Sequence, residues 1–159
     1  SVAAFMATAS ASYTSPHWRE HEVTLGADLL SGDGDPTAGE YRAFDTLFGA
    51  NHKFYGHGDY FLDIPQNTGG QGLVDAMLKL RMKVARKAVL ALHLHDFSLH
   101  KGRSKKLGQE VDMVLDYRYN SVSRLQLGLS ALNPGAGMTA LKGGNDPAAR
   151  AYMQIVVDF

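Results

Sequence analysis

The sequence contains no cysteine and no long uninterrupted apolar segment. The lack of cysteine excludes a disulfide framework, a thiolate metal site and a cysteine nucleophile. No run reaches the roughly 18 apolar residues that a membrane-spanning helix requires. A membrane β-barrel is still allowed, because barrel strands place only every second side chain in lipid and leave a weak hydropathy signal.

The chain also lacks an excess of charge of either sign, with 16 basic and 16 acidic residues among 159. No overall electrostatic field therefore points to nucleic acid, and any electrostatic function must come from the arrangement of the charges. The first eight residues have no initiator methionine, basic segment or continuous apolar core, so they are not a signal peptide. We expect residues 1–159 to be the C-terminal part of a single, longer domain.

Residues 73–84 have apolar side chains at the even positions, whereas the odd positions include Asp75, Lys79, Arg81 and Lys83. A helix would scatter Lys79, Arg81 and Lys83 around its axis, whereas a strand places all three on one side. The opposite side of the same strand is apolar throughout: Val74, Ala76, Leu78, Leu80, Met82 and Val84.

The same alternation predicts further strands, for a total of about seven. They cover residues 3–14, 23–29, 88–99, 109–119, 124–132 and 150–159. Short links (15–17, 85–87, 120–123) alternate with long ones rich in Gly, Asp, Asn, Lys or Pro (31–70, 100–107, 133–148). Outer-membrane barrels show this alternation, with tight periplasmic turns and long outer loops.

We therefore predict an all-β fold, an antiparallel transmembrane β-barrel of which this chain is a part. Tyr117 and Tyr119 then lie at the periplasmic end of their strand, where an interfacial aromatic girdle belongs. The alternative is a soluble antiparallel sandwich or barrel, whose strands alternate in the same way. The long and uniform apolar faces favour lipid over a compact core.

The C-terminal strand ends in Phe159, preceded at steps of two by Val157, Ile155 and Met153. This ending resembles the terminal signature by which bacterial outer-membrane proteins are recognised for insertion. It implies the outer membrane of a Gram-negative bacterium as the location, with membrane lipid and the outer-membrane assembly machinery as partners, the latter through the Phe159 strand.

Several segments resemble the alginate export family of outer-membrane barrels, and the likeness covers most of the chain from about residue 18. Its long loop is similar to Ser31-Gly32-Asp33-Gly34-Asp35-Pro36-Thr37, Ala43-Phe44-Asp45-Thr46-Leu47-Phe48 and Asn51-His52-Lys53-Phe54-Tyr55-Gly56. The C-terminal part of the family's sequences resembles four further segments of this chain: Gly108-Gln109-Glu110-Val111-Asp112, Asp116-Tyr117, Pro134-Gly135-Ala136-Gly137 and Ala151-Tyr152. The resemblance implies a large barrel with an even strand number, whose lumen passes an anionic polysaccharide or another anionic solute.

The period of two assigns the polar side chains of the strands to the lumen and the apolar ones to lipid. The predicted lumen residues are Asp75, Lys79, Arg81, Lys83, His93, His95, Glu110, Asp112, Asp116, Arg118, Arg124, Gln126, Arg150 and Gln154. The predicted lipid-facing residues are Leu78, Leu80, Leu92, Leu115, Leu127, Ile155 and Phe159.

Cations in a lumen attract anions, as rings of Arg or Lys do in anion pores. Alternatively, they pair with acidic residues on neighbouring strands, such as Glu110, Asp112, Asp116 and Asp158, and hold the wall together.

Metal and catalytic sites are less strongly indicated. Asp33 and Asp35, with Asp45 in the same predicted loop, are weak candidates for Ca²⁺, although Gly/Asp loops are more often turns. His93 and His95 share a strand face, but the sequence offers no third metal ligand. Ser98, His95 and Asp96 cannot converge as a triad because adjacent strand residues face opposite sides. No other cofactor and no catalytic residue is predicted.

The sequence therefore predicts an outer-membrane channel or porin rather than an enzyme. Its substrate would be an anionic solute or polysaccharide, and no nucleic-acid partner is expected. The rival prediction is a structural or adhesive barrel whose lumen is closed by charge pairing and which transports nothing.

Overall fold

The alternating segments form seven β-strands in one antiparallel sheet, in which the strands lie side by side in chain order. The computed structural model describes residues 1–15, 20–35, 37, 39–47, 52, 54–103 and 105–158. The strands are β1 (Met6–Ser15), β2 (His21–Leu30), β3 (Leu73–Ala85), β4 (Ala88–Leu99), β5 (Lys106–Arg118), β6 (Ser123–Pro134) and β7 (Ala148–Val157). The predicted all-β antiparallel architecture is confirmed. The sheet is open, with β1 and β7 at its edges.

The strand boundaries depart from the predicted ones by up to three residues. β4 has the predicted bounds, whereas β5 begins at Lys106 rather than at residue 109. Backbone pairing continues beyond the alternating pattern here, since Gly108 still faces Pro134 of β6. Most of the predicted turn at 15–17 lies outside the described residues.

All of the short connections lie at one end of the sheet, which we call the hairpin end. The tightest is Arg86 and Lys87, the two residues between β3 and β4. The long connections lie at the other end, which we call the loop end. The largest of these, residues 31–72 between β2 and β3, is called the long loop.

Two short helices interrupt the long connections, where none was predicted. In the long loop, α1 (Ile64–Asn67) begins after Asp63, whose side chain accepts a hydrogen bond from the Gln66 amide. Between β6 and β7, α2 (Ala136–Lys142) ends at Gly143, which has the left-handed φ of +76°. Neither is long or apolar enough to cross a membrane, and the described residues include no helix that is.

Antiparallel pairing places residues of matching character in rows across the sheet. One face, the apolar face, carries rows such as Leu80, Leu92, Met113, Leu129 and Ala151. The other, the polar face, carries rows such as Lys79, His93, Asp112, Ser130 and Arg150. A one-residue shift of any strand would exchange its two faces, so the alternation fixes the register.

The hydrophobic core lies on the polar face, at the loop end. There the long loop folds onto the sheet and packs its apolar side chains against strand residues that share the polar face. Phe61 contacts Phe97 with ring centroids 4.7 Å apart, and both are fully buried. The core consists of Leu30, Tyr55, Phe61, Ile64, Leu73, Phe97, Leu99, Leu107, Leu132 and Met138. The long loop therefore covers the loop end of the polar face.

Candidate functional site

The register places the predicted lumen residues on the polar face. His93 faces Lys79 on one side and Asp112 on the other, and His95 faces Met77 and Glu110. Nearer the hairpin end, the rows contain the remaining charged and amide side chains: Arg81, Lys83, Asp116, Arg118, Arg124, Gln126 and Gln154. Whether this face lines a lumen stays a prediction.

A buried pair, Asp75 and His95, lies in the centre of the polar face. Both oxygens of the Asp75 carboxylate contact His95 Nδ1, at 2.8 and 3.0 Å. The side chains are 0% and 1% exposed. A carboxylate buried this deeply requires hydrogen-bond donors, and His95 supplies one.

Two further buried carboxyl groups lie beside this pair on β5. The Ser130 hydroxyl donates to Asp112, and it lies 3.0 Å from Glu110 Oε1. Glu110 Oε1 also accepts from the Gly58 amide at 2.8 Å, so the long loop contacts the sheet directly. Glu110 Oε2 is buried and has no hydrogen-bond partner among the described residues.

The long loop adds two histidines and a carboxylate above the cluster. His52 Nδ1 is hydrogen-bonded to Asp59, and Asp59 also pairs with Arg150 of β7. His57 Nδ1 lies 3.2 Å from His52 Nε2 and 3.2 Å from the Tyr152 hydroxyl. The loop is therefore joined to β7 through polar contacts as well as through the hydrophobic core.

Burial controls the charge of the loop side chains. Desolvation is the largest cause lowering the pKa of His57 and of His52, and the charge of Arg150 lowers that of His52 further. Both rings are therefore neutral near pH 7, and the contact of His52 with Asp59 is a hydrogen bond rather than an ion pair. Burial also raises the pKa of Tyr55 to about 12.

The charges on the polar face are segregated along the strands. The acidic and histidine residues cluster toward the loop end, whereas an open depression of about 600 Å³ at the hairpin end is lined mainly by cations. Six basic side chains line it against three acidic ones. The basic residues are Arg81, Lys83, Arg86, Lys87, Arg118 and Arg124, and the acidic ones are Glu20, Glu22 and Asp116.

The predicted cross-strand ion pairs do not form in the described part of the chain. Glu110 and Asp112 interact with Ser130, and Asp116 accepts from Gln126 at 3.1 Å. The two ion pairs made by polar-face cations involve connecting segments instead: Lys83 with Glu20, and Arg150 with Asp59. Which of the two roles the wall cations have stays a prediction.

The residues predicted to face lipid lie together on the apolar face. Several of them and of their row neighbours are widely exposed, including Ile155 at 66% and Leu129 at 52%. The others on this face are Leu78, Leu80, Leu92, Leu115 and Leu127, none of which belongs to the hydrophobic core. Phe159 lies outside the described residues.

Asp33, Asp35 and Asp45 of the long loop accept hydrogen bonds that stabilise local turns. Asp33 Oδ1 accepts from the Asp35 amide at 3.0 Å, and Asp35 accepts from both the amide and the hydroxyl of Thr37. These hydrogen bonds lower the pKa of Asp35. Asp45 accepts from the Leu47 amide in the same manner. Ca²⁺ binding at Asp33 and Asp35 stays a prediction.

Asp112 is a candidate for the third ligand that the sequence could not identify for His93 and His95. The ligand atoms of these three residues lie within 4.8 Å of one another, the one such group among the described residues. The sequence alone also did not identify His52, His57 and Asp59 as members of this polar cluster. The concentration of three histidine or aspartate side chains within residues 52–59 was the available signal, but only docking of the loop brings them to β4 and β5.

The predicted failure of Ser98, His95 and Asp96 to converge agrees with the register. His95 lies on the polar face, whereas Asp96 faces Ala76 and Gln109 on the apolar side and accepts from the Lys106 ammonium group. That the chain is not an enzyme stays a prediction.

Comparison with known proteins gives no family for this chain. No protein-family model matches it, and no curated protein matches it. Its function must therefore be argued from the geometry of the sheet and the site.

Proposed function

We propose that this chain forms part of the wall of a bacterial outer-membrane β-barrel channel for anionic solutes or an anionic polysaccharide, as its resemblance to the alginate export family implies. The observation that carries the proposal is the two-sided sheet. One face is apolar and exposed, and the opposite face is charged and partly covered by the long loop.

The dimensions of the apolar face suit a bilayer. On β3 it extends over ten residue steps from Val74 to Val84, which is about 34 Å along the strand. At the roughly 45° tilt of barrel strands this spans about 24 Å, close to the apolar band of about 25 Å in outer-membrane barrels. Exposed side chains such as Leu129, Met153 and Ile155 would be costly in water on a free surface of this size.

The open edges of the sheet are part of the proposal. Among the described residues, β1 pairs with β2 alone and β7 pairs with β6 alone. Unpaired strand edges cannot be tolerated within the hydrocarbon region, because no water is there to satisfy their backbone groups. We therefore propose that both edges pair with further strands that complete the barrel.

The polar face then lines the lumen, and its charge distribution favours anions. The cation-lined depression at the hairpin end would attract an anionic solute and lower the barrier to its passage. The long loop narrows the lumen at the other end, because it is held on the polar face by Phe61 and by the contact of Gly58 with Glu110.

A structural or adhesive barrel is the second candidate, and the same loop favours it. The long loop is fixed by a hydrophobic core and by the pairing of Asp59 with Arg150. A loop held this firmly would close the lumen rather than restrict it. A measurement of ion conductance distinguishes the two functions, because only the channel passes current.

Reconstitution of the full-length protein in planar lipid bilayers tests the proposal. We expect discrete conductance steps and a reversal potential in a salt gradient that shows anion preference. The double variant Arg81→Gln, Arg118→Gln should shift the permeability ratio toward no selectivity. Arg103→Gln, which removes an exposed cation at the loop end, is the matched control and should leave the ratio unchanged.

Absence of current from correctly inserted protein would overturn the channel and favour the structural barrel. A channel whose selectivity is the same in the double variant and in the control would overturn the role given to the cation-lined depression.

A further inference from the structure

We propose that His93, His95 and Asp112 form a binding site for one divalent transition-metal cation of the Zn²⁺ class. The two histidines are two residues apart on β4 and share the polar face, and Asp112 faces His93 directly on β5. Their ligand atoms lie within 4.8 Å of one another. Two imidazoles and a carboxylate are a ligand set that suits Zn²⁺ and leaves a position for water or another ligand.

The hydrogen bond from His95 to Asp75 orients the first ligand. When Asp75 is ionised its carboxylate can only accept, so the contacts of both oxygens with Nδ1 then place the ring proton on that nitrogen. Nε2 then carries the free electron pair and points toward Asp112. Carboxylates that hold metal-binding histidines in this way are common around protein zinc sites.

The spacing between the ligands fits a shared ion better than a direct contact. His95 Nε2 lies 3.8 Å from Asp112 Oδ2, which is too far for a hydrogen bond. Two ligands at about 2.1 Å from a tetrahedral zinc ion are about 3.4 Å apart. Small side-chain rotations would therefore bring all three ligands onto one cation.

The Asp112 carboxylate is also held in place. The Ser130 hydroxyl donates to Asp112 Oδ1, and the His57 amide lies 3.3 Å from Oδ2. These contacts orient the carboxylate toward β4. Asp112 and His95 are nearly inaccessible to solvent, so few water molecules compete with a bound cation for their ligand atoms.

The surrounding charges favour a cation overall. Lys79 of β3 faces His93 of β4, and its positive charge opposes metal binding. The carboxylates of Asp75 and Asp112 offset this charge. The ring of His57 lies above the site, with its centroid 5.4 Å from that of His93. The site uses only residues of the polar face, so it stands whether or not the barrel conducts.

Calorimetric titration of the metal-stripped full-length protein with Zn²⁺ is the direct test. We expect one ion per chain, with His93→Gln and Asp112→Asn each weakening binding by at least about tenfold. Asp75→Asn removes a positioning residue and should weaken it by roughly 10- to 100-fold. His21→Gln is the matched control, because His21 lies at the hairpin end and on the apolar face. It should bind as the unmodified protein does.

Zn²⁺ binding that survives both His93→Gln and Asp112→Asn, or no binding by the unmodified protein, would overturn the proposal. Should either variant fail to fold, Cu²⁺ bound to the unmodified protein decides the matter by electron paramagnetic resonance. Superhyperfine splitting from two imidazole nitrogens supports the site, and a spectrum with oxygen ligands alone contradicts it.

Discussion

Glu110 shows how closely single residues of the long loop approach the sheet. Gly56 and Gly58 pass directly over its carboxyl group, and a Cβ atom on Gly58 would lie 2.8 Å from Oε2. Gly56 also has a φ of +83°, a conformation in which glycine alone is unstrained. The backbone of the loop can cover Glu110 because these two positions have no side chain.

Substitution Gly56→Ala should therefore loosen the docked loop. The added methyl group meets the Glu110 carboxyl, an overpacking that costs about 1–3 kcal/mol. Gly70→Ala is the control, since Gly70 has a similar φ of +75° and open space around its Cβ position. Limited proteolysis within residues 54–72 measures the effect. Equal cleavage rates in the two variants would show that contact with Glu110 does not hold the loop.

At the scale of elements, the long loop is held by two kinds of contact that respond differently to pH. Packing of Phe61 and Ile64 against β4 and its neighbours does not titrate. The histidines do, because burial lowers the pKa of His57 and His52 from their ordinary value of 6.5. His57 is faced by Lys79, His93, His95, Asp112, Tyr152 and His52.

Docking of the loop should weaken as the pH falls below 6.5. At pH values between the lowered pKa and 6.5, the undocked loop binds more protons than the docked loop, so acid favours release and docking becomes more favourable as the pH rises. Hydrogen exchange of the amides of residues 54–72 at pH 7.5 and 5.5, corrected for intrinsic rates, measures this.

The variant His57→Gln should flatten that pH dependence, and His21→Gln at the hairpin end should not. Unchanged protection of residues 54–72 at pH 5.5 would mean that the histidines remain neutral or lie outside the docking equilibrium.

At the scale of the whole molecule, the two faces of the sheet require two different environments. From β3 to β7, the middle row of the apolar face contains Leu80, Leu92, Met113, Leu129 and Ala151, none of which has a hydroxyl, amide or charged group. The polar face, in contrast, buries four carboxyl groups, those of Asp28, Asp75, Glu110 and Asp112. A membrane that contacts only the apolar face satisfies both.

Leu129→Arg tests that arrangement. A cation near the bilayer midplane destabilises a barrel by about 2–4 kcal/mol, so the variant should fold less completely into lipid vesicles in a urea titration. Leu62→Arg is the control, because Leu62 is 50% exposed in the long loop, close to the 52% of Leu129. Equal folding of the two variants would place the apolar face outside lipid.

The sequence by itself determined the strands, their antiparallel order and the two faces. These features follow from local periodicity: side chains alternate along a strand, and short links force neighbouring strands to pair. The positions of Lys79, His93 and Asp112 on one face could therefore be predicted from spacing alone.

Only the tertiary structure decided where the long loop goes, and with it the composition of the site. Phe97 and Leu99 lie on the polar face, and their burial is explained only by the packing of loop residues such as Phe61 and Ile64 against that face. Strand register placed Asp112 beside His93 and His95, and loop docking placed His57 above them. Contacts between residues far apart in the chain leave no periodic signal, because they depend on the free energy of burial in the folded molecule rather than on the order of neighbouring residues.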